Sequence, residues 1–459
     1  MTTVIRYFLL LTTFAFALSV AAQTSPSIRG QHKVKRKDTI FGIAKMYDLT
    51  IDDLIKVNPE LSQPGYELKK GTILQIPFPQ AVPAVTAAPA GKAPDTPATA
   101  SKGDDDVRKR EVRVGVMLPL HDINGDGRRM VEYYRGILMA CDSLKKKGLS
   151  IDVRAWNAAE DADVARLLQD PAAARCDIIF GPLYSKQMQV LSDFVTAHDI
   201  RLVIPFSINA PQLAANRNIF QVWQSPTRIN EATIARYLER FRKAHAVFID
   251  CNDTTSRKGQ FTFGLRRQLE SCHIDYSITN LKSGEESFAK AFSRTQKNVV
   301  ILNTGRSPEL GVAFAKLNGL SLNVPGLDIS MFGYTEWLMY TRTHLDNFYK
   351  YDAYIPSVFY YNPLTLSTER LEQKYRWNFH ADMQMALPRF ALTGFDHAYF
   401  FISGLHKYGK TFNGAAGMFG YPPVQTPLAF ERVGNGGLQN ISLMFVHYTP
   451  EHRVETVRF

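Results

Sequence analysis

The residues whose types could do chemistry sit just past the carboxyl ends of apolar runs. Pro119, Ser185, Ser207, Asn252, Asp253, Thr304 and Tyr334 each follow a stretch that reads as a strand. In α/β sheets ligands gather beyond the carboxyl ends of the strands, so these residues are expected around one cleft. Pro119, Ser185, Ser207, Asp253 and Tyr334 are expected to line it. Hydroxyls and a carboxylate at such positions can hydrogen-bond a ligand; the same hydroxyls can equally cap helices. Nothing nearby builds a nucleophile, because the chain has no Gly-x-Ser-x-Gly elbow and no Cys–His–Asn neighbourhood. No Gly-x-Gly-x-x-Gly turn follows a strand and no P-loop lysine occurs, so nucleotide chemistry is not expected.

Metal chemistry is expected nowhere, and no cofactor is. The run DINGDG (122–127) begins like a calcium loop, with oxygen ligands at alternate positions and glycine at the sixth. Its twelfth position is Tyr133 rather than an acid, Glu132 is one place off, and a strand precedes it, so an ordinary polar turn is expected. His245, His273, His344, His380, His397 and His406 are scattered without metal-helix spacing and are expected to be structural.

The elements that must position the cleft residues alternate. VRVGVML (112–118) is a buried-type strand. Gly127–Lys147 is predicted helical from Met130, Tyr133, Tyr134, Ile137, Leu138 and Cys141. IDVRAW (151–156) is a strand, Glu160–Asp170 a helix ended at Pro171, and CDIIFGP (176–182) a strand opening into a loop. RLVIPFS (201–207), HAVFID (245–250), HIDYSI, NVVILN and LDISMFG continue the series, with helices over Asn230–Lys243 and Gly259–Ser271. Such βαβ alternation implies mainly parallel sheets covered by helices.

A different unit lies upstream, from Val34 to Pro77. Asp38 stands at a helix N-cap, and Ile40, Ile43, Ala44 and Tyr47 share one helical face. Thr50 and Asp53 make a second cap, Ile51, Leu54 and Ile55 a second apolar face, and Pro59 a stop. Gly71 precedes the strand Thr72–Ile76. The result is a small β-α-α-β unit. It resembles the LysM module through Val34, Asp38-Thr39-Ile40, Ile43-Ala44, Tyr47, Leu54, Asn58-Pro59, Gly71 and Ile76-Pro77. That resemblance implies binding of N-acetylglucosamine-containing glycans such as peptidoglycan in a shallow groove. Asp38, Thr39 and Ile40 would form one wall, and Asn58, Pro59 and Leu61 the other. The glycine usual before the Asp is replaced by Lys37.

The order of landmarks over residues 111–459 resembles the type I periplasmic binding proteins, the branched-chain amino-acid receptor class. The likeness is carried by VGVMLPL (114–120), IIFGPLYS (178–185), LVIPFSINAPQL (202–213), NIFQVWQSP (218–226) and TGFDHAYFFISGL (393–405). It implies two lobes joined by hinges with ligand between them. Ser185 and Ser207 match positions that hold a ligand's carboxylate and amine in those receptors, and Asp253 is the expected acidic residue of the second lobe. Asp396 is expected to cap or buttress the final helix. The run 430–448 is expected to form a terminal hairpin with a glycine-rich turn.

Residues 1–22 read as a signal peptide: Arg6, an apolar core over Tyr7–Leu18, and small residues before Gln23. No cysteine follows that core, so a lipoprotein anchor is not expected, and no transmembrane segment is expected in the mature chain. The module is placed at 32–78. Residues 79–110, rich in Pro, Ala, Thr and Ser, are a linker with a maximum reach on the order of 90 Å. Cys141, Cys176, Cys251 and Cys272 allow disulfides in an exported protein, with Cys251 and Cys272 as possible neighbours, or free buried thiols. The formal charge of +11 includes the local runs KVKRK, RKR and KKK, suited to an anionic envelope polymer. Nucleic acid is not an expected partner.

The expected protein is non-enzymatic: an α/β, wall-tethered ligand-sensing or scaffold protein of the periplasm or cell envelope. Its partners would be peptidoglycan and either a small amino-acid-like ligand or a cell-wall protein. Outer-membrane activators of peptidoglycan synthases combine a type I binding-protein fold with an envelope role, by analogy. The alternatives are an ABC-transporter receptor for an amino acid and a LysM-targeted hydrolase.

Overall fold

The computed structural model describes residues 28–34, 43, 47, 49, 51–62, 69–77, 106–206, 210–418 and 420–459. Residues 1–22, Lys37, Asp38, Thr39, Ile40, Ser207 and residues 79–105 of the linker lie outside the described residues. The chain forms two compact units, residues 1–100 and 101–459.

In the first unit, β1 (Ile28–Lys33) pairs antiparallel with β2 (Ile73–Pro77). The helix α1 (Ile51–Val57) and a 3-10 turn (Pro59–Ser62) precede β2. Val34, Ile43, Leu49, Leu54, Leu61, Leu74 and Ile76 form its core.

The second unit holds two seven-stranded sheets. The first-lobe sheet takes β3 (Val112–Leu118), β4 (Ile151–Asn157), β5 (Ile178–Phe180), β6 (Arg201–Ile204) and β7 (Ile219–Gln221). These strands are mutually parallel. The second-lobe sheet takes β8 (His245–Asp250), β9 (Tyr276–Asn280), β10 (Asn298–Leu302), β11 (Ile329–Phe332) and β12 (Ala353–Ser357), also parallel. The chain then returns. β13 (Phe430–Arg432) and β14 (Leu438–Asn440) extend the first sheet, and β15 (Met444–Tyr448) and β16 (Val454–Arg458) extend the second. Residues 430–448 are therefore not one terminal hairpin. The glycine-rich turn closes β13–β14, and β15 belongs to the other lobe.

The apolar strands are buried on both faces, as parallel sheets require. Along β3, Val112, Val114, Val116 and Leu118 join one core, while Met117 joins another on the opposite face. The first face is covered by α2 (Gly125–Lys145); the second by α3 (Met188–His198), through Leu191 and Val195. In the second lobe α4 (Pro226–Phe241), α5 (Gly259–Ser271), α6 (Ser307–Asn323) and α7 (Thr341–Lys350) bury Tyr237, Leu265, Phe314 and Phe348. The helices α8 (Leu366–Phe379) and α9 (Phe390–Tyr408) pack back on the first lobe, burying Tyr375 and Phe401 there.

Local signals misplaced some ends. Pro171 does not only stop a helix; it stands at the first turn of a short one, Pro171–Ala174, capped by Asp170. The helix expected from Asn230 begins at Pro226, where Ser225 Oγ accepts from the Arg228 N–H at 3.3 Å. In DINGDG, Asn124 Oδ1 accepts from the Gly127 N–H at 2.8 Å and starts α2. Asp396 does more than cap: it is fully buried and accepts from the backbone N–H groups of Val424, Gln425 and Thr426 at 2.7–2.9 Å, and from the Tyr421 hydroxyl. All four cysteines are free; Cys141, Cys176 and Cys251 are buried and Cys272 is exposed.

Candidate functional site

The chain crosses between lobes three times, after β7, after β12 and after β14. These crossovers are tied to one another by amides. Gln224 Nε2 donates to the Ser442 carbonyl at 2.7 Å, and Gln439 Nε2 donates to the Trp223 carbonyl at 2.9 Å. The Tyr360 N–H donates to the Gln425 carbonyl at 2.9 Å. Gln425 also bonds the Asp396 carboxylate, so the second crossover is fastened to α9. Buried amides satisfied on both sides hold such a joint in one register.

At the carboxyl ends of the second-lobe strands lies a cavity of about 390 Å³. Ile229, Phe261, Leu338, Met339 and Phe359 give it an apolar wall, and Leu387 reaches it from the loop before α9. Its charged pair is Lys258 and Glu336, 2.6 Å apart. The Lys258 ammonium also lies 4.6 Å from the centre of the Tyr334 ring. Tyr334 lines this cavity, but its buried hydroxyl donates to the Leu302 carbonyl, and burial raises its pKa far above the ordinary phenol range.

A wider open depression of about 910 Å³ shares Lys258 and Glu336 with that cavity and contains Asp253 and Thr304. Asp253 is already occupied. It accepts from the Thr255 hydroxyl at 2.6 Å, the Thr255 N–H at 2.9 Å and the Thr304 hydroxyl at 2.7 Å. Arg306 lies 3.5 Å away. The hydroxyls of Thr255 and Thr304 hold the carboxyl down at about 2. Its side chain is 1% exposed.

Pro119 and Ser185 lie in the first lobe, and neither is among the residues lining these two spaces. Pro119 is buried, and Ser185 is exposed on a 3-10 turn (Ser185–Gln187). Gly181 before it is obligatory: φ is +138°, and a Cβ would stand 2.1 Å from the Met117 carbonyl oxygen. The carboxyl edge of this sheet carries Leu120, Leu183, Phe206 and Phe390, packed on the core. Phe206 meets Tyr133 at 5.1 Å and Phe390 at 5.7 Å between ring centres. The sequence marks Tyr133 only as part of a helical face and assigns no site role to Phe206, Phe390 or the Lys258–Glu336 pair. Nothing in the local pattern marks Lys258 for Glu336, 78 residues on.

In the first unit Asn58 and Leu61 turn inward. Asn58 is 2% exposed and Leu61 belongs to the core, so their side chains do not face a surface groove; Pro59 is exposed.

Residues 32–77 match the LysM domain family. They are a LysM domain. No curated protein matches the chain at a significant level. Among solved structures, a protein of Rhodospirillum rubrum described as a branched-chain amino acid ABC transporter aligns with a TM-score of 0.51 at 14% identity, covering 76% of this chain and 100% of its own. LivJ of Streptococcus pneumoniae, a branched-chain amino acid transporter substrate-binding protein solved with isoleucine, aligns at 14% identity and 0.38, with coverages of 76% and 100%. Full-length LpoA of Haemophilus influenzae aligns at 14% identity and 0.47, over 76% of this chain and 59% of LpoA. The body following the LysM domain has the type I periplasmic-binding-protein fold, with two lobes of mainly parallel sheet. No helix of the described residues is long and apolar enough to cross a membrane.

Proposed function

We propose that this is a non-catalytic, extracytoplasmic, wall-associated protein. Its LysM domain grips peptidoglycan, and its body offers the interlobe cleft to an apolar segment of a cell-wall protein, as a scaffold or sensor for wall synthesis. The state of Asp253 carries the second half of this reading. An α-amino acid needs an acceptor for its ammonium and a donor for its carboxylate, both desolvated and unspent. Asp253 is saturated by Thr255 and Thr304, and Lys258 is neutralised by Glu336. Beside them the wall is mainly apolar, Ile229, Phe261, Leu338, Met339, Phe359 and Leu387, with Asn230, Thr233 and Thr335 as uncharged polar groups. Such a lining favours a peptide's apolar side chains over a zwitterion.

The second reading, an amino-acid receptor for a permease, is favoured by the fold it would share with the Rhodospirillum protein. Thermal unfolding of the full chain with each of the twenty amino acids separates the two, since a ligand that binds only the folded state raises the midpoint. The scaffold reading expects no shift across the panel; a saturable shift with any amino acid overturns it. Sedimentation with purified peptidoglycan tests the tether. The full chain is expected to pellet and a chain lacking residues 32–77 to stay in solution, and equal pelleting would sink the tether.

A further inference from the structure

At the end of the first lobe opposite the cleft lies a second concave site, of about 530 Å³. It is framed by the amino ends of β3, β5 and β6, by the carboxyl end of α9, and by residues 106–113, the first described residues of the body. Six cationic side chains line it: Arg108, Arg110, Arg113, Arg175, Arg201 and Lys410. Three carboxylates face them, Asp106, Asp177 and Asp199. Each carboxylate holds a base. Arg110 makes a two-pronged pair with Asp177 at 2.7 and 2.8 Å; Arg108 pairs with Asp106 at 2.7 Å, and Lys410 with Asp199.

The positive excess is built in rather than scattered. Arg201 is held in place by the Asn218 side chain at 2.8 Å and the Lys410 carbonyl at 2.9 Å. Burial, opposed by Asp199 but reinforced by Arg432 and Arg217, pulls its pKa below the ordinary guanidinium range. Exposed Arg175 stands at the rim with no carboxylate within 4 Å among the described residues. A concave surface with an excess of one charge concentrates counter-ions of the other sign. Guanidinium groups in fixed positions favour planar carboxylates through paired hydrogen bonds.

We propose that this basal site binds an acidic peptide bearing several free carboxylates and an amine, the chemistry of the peptide stems of peptidoglycan. The carboxylates would meet exposed Arg175 and the guanidinium of Arg201, which also lies 3.5 Å from Asp199, and the amine would meet the half-exposed side of Asp199 beside its pair with Lys410. An inorganic phosphate offers nothing to Asp199, so the mixed lining favours the peptide. The choice of peptide rests on the proposed wall association. By sequence the site follows the LysM domain in the same chain, and peptidoglycan carries both glycan and peptide stems.

The test uses the full chain and the tripeptide L-Ala-γ-D-Glu-meso-diaminopimelate in isothermal titration, with inorganic phosphate at matched ionic strength and N-acetylglucosamine tetramer as separate arms. Arg175→Glu combined with Lys410→Glu changes two rim residues, and Arg175→Gln serves as a milder second variant. The expected result is tripeptide binding that weakens about tenfold or more in the double variant and falls with salt, while tetramer binding is unchanged. Intermediate weakening in Arg175→Gln is expected too. Unchanged tripeptide binding in both variants overturns the proposal. So does phosphate binding as tight as the tripeptide with the same loss on charge reversal, which would make this a phosphate site. Tetramer binding without tripeptide binding by the unmodified chain overturns the basal site alone; failure of both overturns the wall association.

Discussion

Asn58 and Gln75 are joined by two hydrogen bonds: Asn58 Nδ2 donates to the Gln75 carbonyl at 2.8 Å, and the Gln75 N–H donates to Asn58 Oδ1 at 2.7 Å. A third bond, Nδ2 to the Leu54 carbonyl at 2.8 Å, completes the amide. The side chain thus mimics a strand neighbour and fastens the end of α1 to β2. Asn58→Ala leaves two half-buried backbone groups of Gln75 without that partner and is expected to cost about 1–3 kcal/mol in the LysM domain. Hydrogen exchange of residues 73–77 in the full chain should accelerate accordingly. Pro59→Ala, at an exposed position, should leave that exchange unchanged.

The helices α2 and α9 approach each other through glycines. A Cβ at Gly136 would lie 1.9 Å from the Ala391 carbonyl oxygen, and one at Gly394 would lie 2.0 Å from that of Tyr133. Both contacts are to backbone, which cannot step aside as a side chain can. Gly136→Ala and Gly394→Ala are each expected to destabilise the body by about 1–3 kcal/mol through overpacking, in spite of alanine's better helix propensity. Calorimetry should show a lowered body transition with the LysM domain unaffected. Gly319→Ala on α6, where a Cβ meets nothing within 4 Å, is the control and should be neutral or stabilising.

A buried pair in the first lobe makes stability depend on pH. His397 is 1% exposed and its Nδ1 lies 2.9 Å from the Tyr133 hydroxyl. Burial pushes its pKa down to about 3 from 6.5. The unfolded chain therefore binds the extra proton first. The stabilising contribution is complete above pH 6.5 and is lost as pH falls toward 3, with a full range on the order of a few kcal/mol. Neighbouring Asp396 acts in the opposite sense: burial raises it to about 6, so its contribution is complete below 3.8 and fades as pH rises through 6. Urea midpoints of His397→Gln measured from pH 7 to pH 4 should fall less steeply than those of the unmodified chain. Equal slopes would remove His397 as the cause.

Asp253 also titrates against its surroundings. Its carboxyl is held at about 2 by the Thr255 and Thr304 hydroxyls, below the ordinary value of 3.8. Its contribution is present above pH 3.8 and is lost as pH falls through 2. Asp253→Asn should lower stability at neutral pH and flatten the loss between pH 4 and pH 2 in acid-unfolding curves. An unchanged acid limb would mean that the Thr255 and Thr304 contacts are not maintained in solution.

Much of the body was legible because its signals are local. VRVGVML (112–118) reads as β3 from its unbroken apolar run, and the spacing of Met130, Tyr133 and Ile137 reads as the buried face of α2. The cleft was legible only as a class of positions. Asp253 and Tyr334 do gather at the carboxyl ends of the second-lobe strands, but Ser185 and Pro119 do not join their cavities. Whether Asp253 is open to a ligand depends on Thr304, 51 residues away in the loop after β10, the strand beside β8, and no local period encodes that pairing.

The sequence by itself determined the alternation of strands and helices and the LysM unit over residues 32–77, because each follows from periodicity and turn residues within short stretches. Only the tertiary structure decided which lobe each late strand joins, which polar groups are already satisfied and where charge accumulates. Residues 430–448 split between two sheets because pairing partners lie some 90 to 220 residues away. Asn58 serves β2 rather than a groove, and Arg201, Arg175 and Lys410 converge at one end of a lobe, because side-chain contacts are set by packing between distant segments rather than by neighbours in the chain.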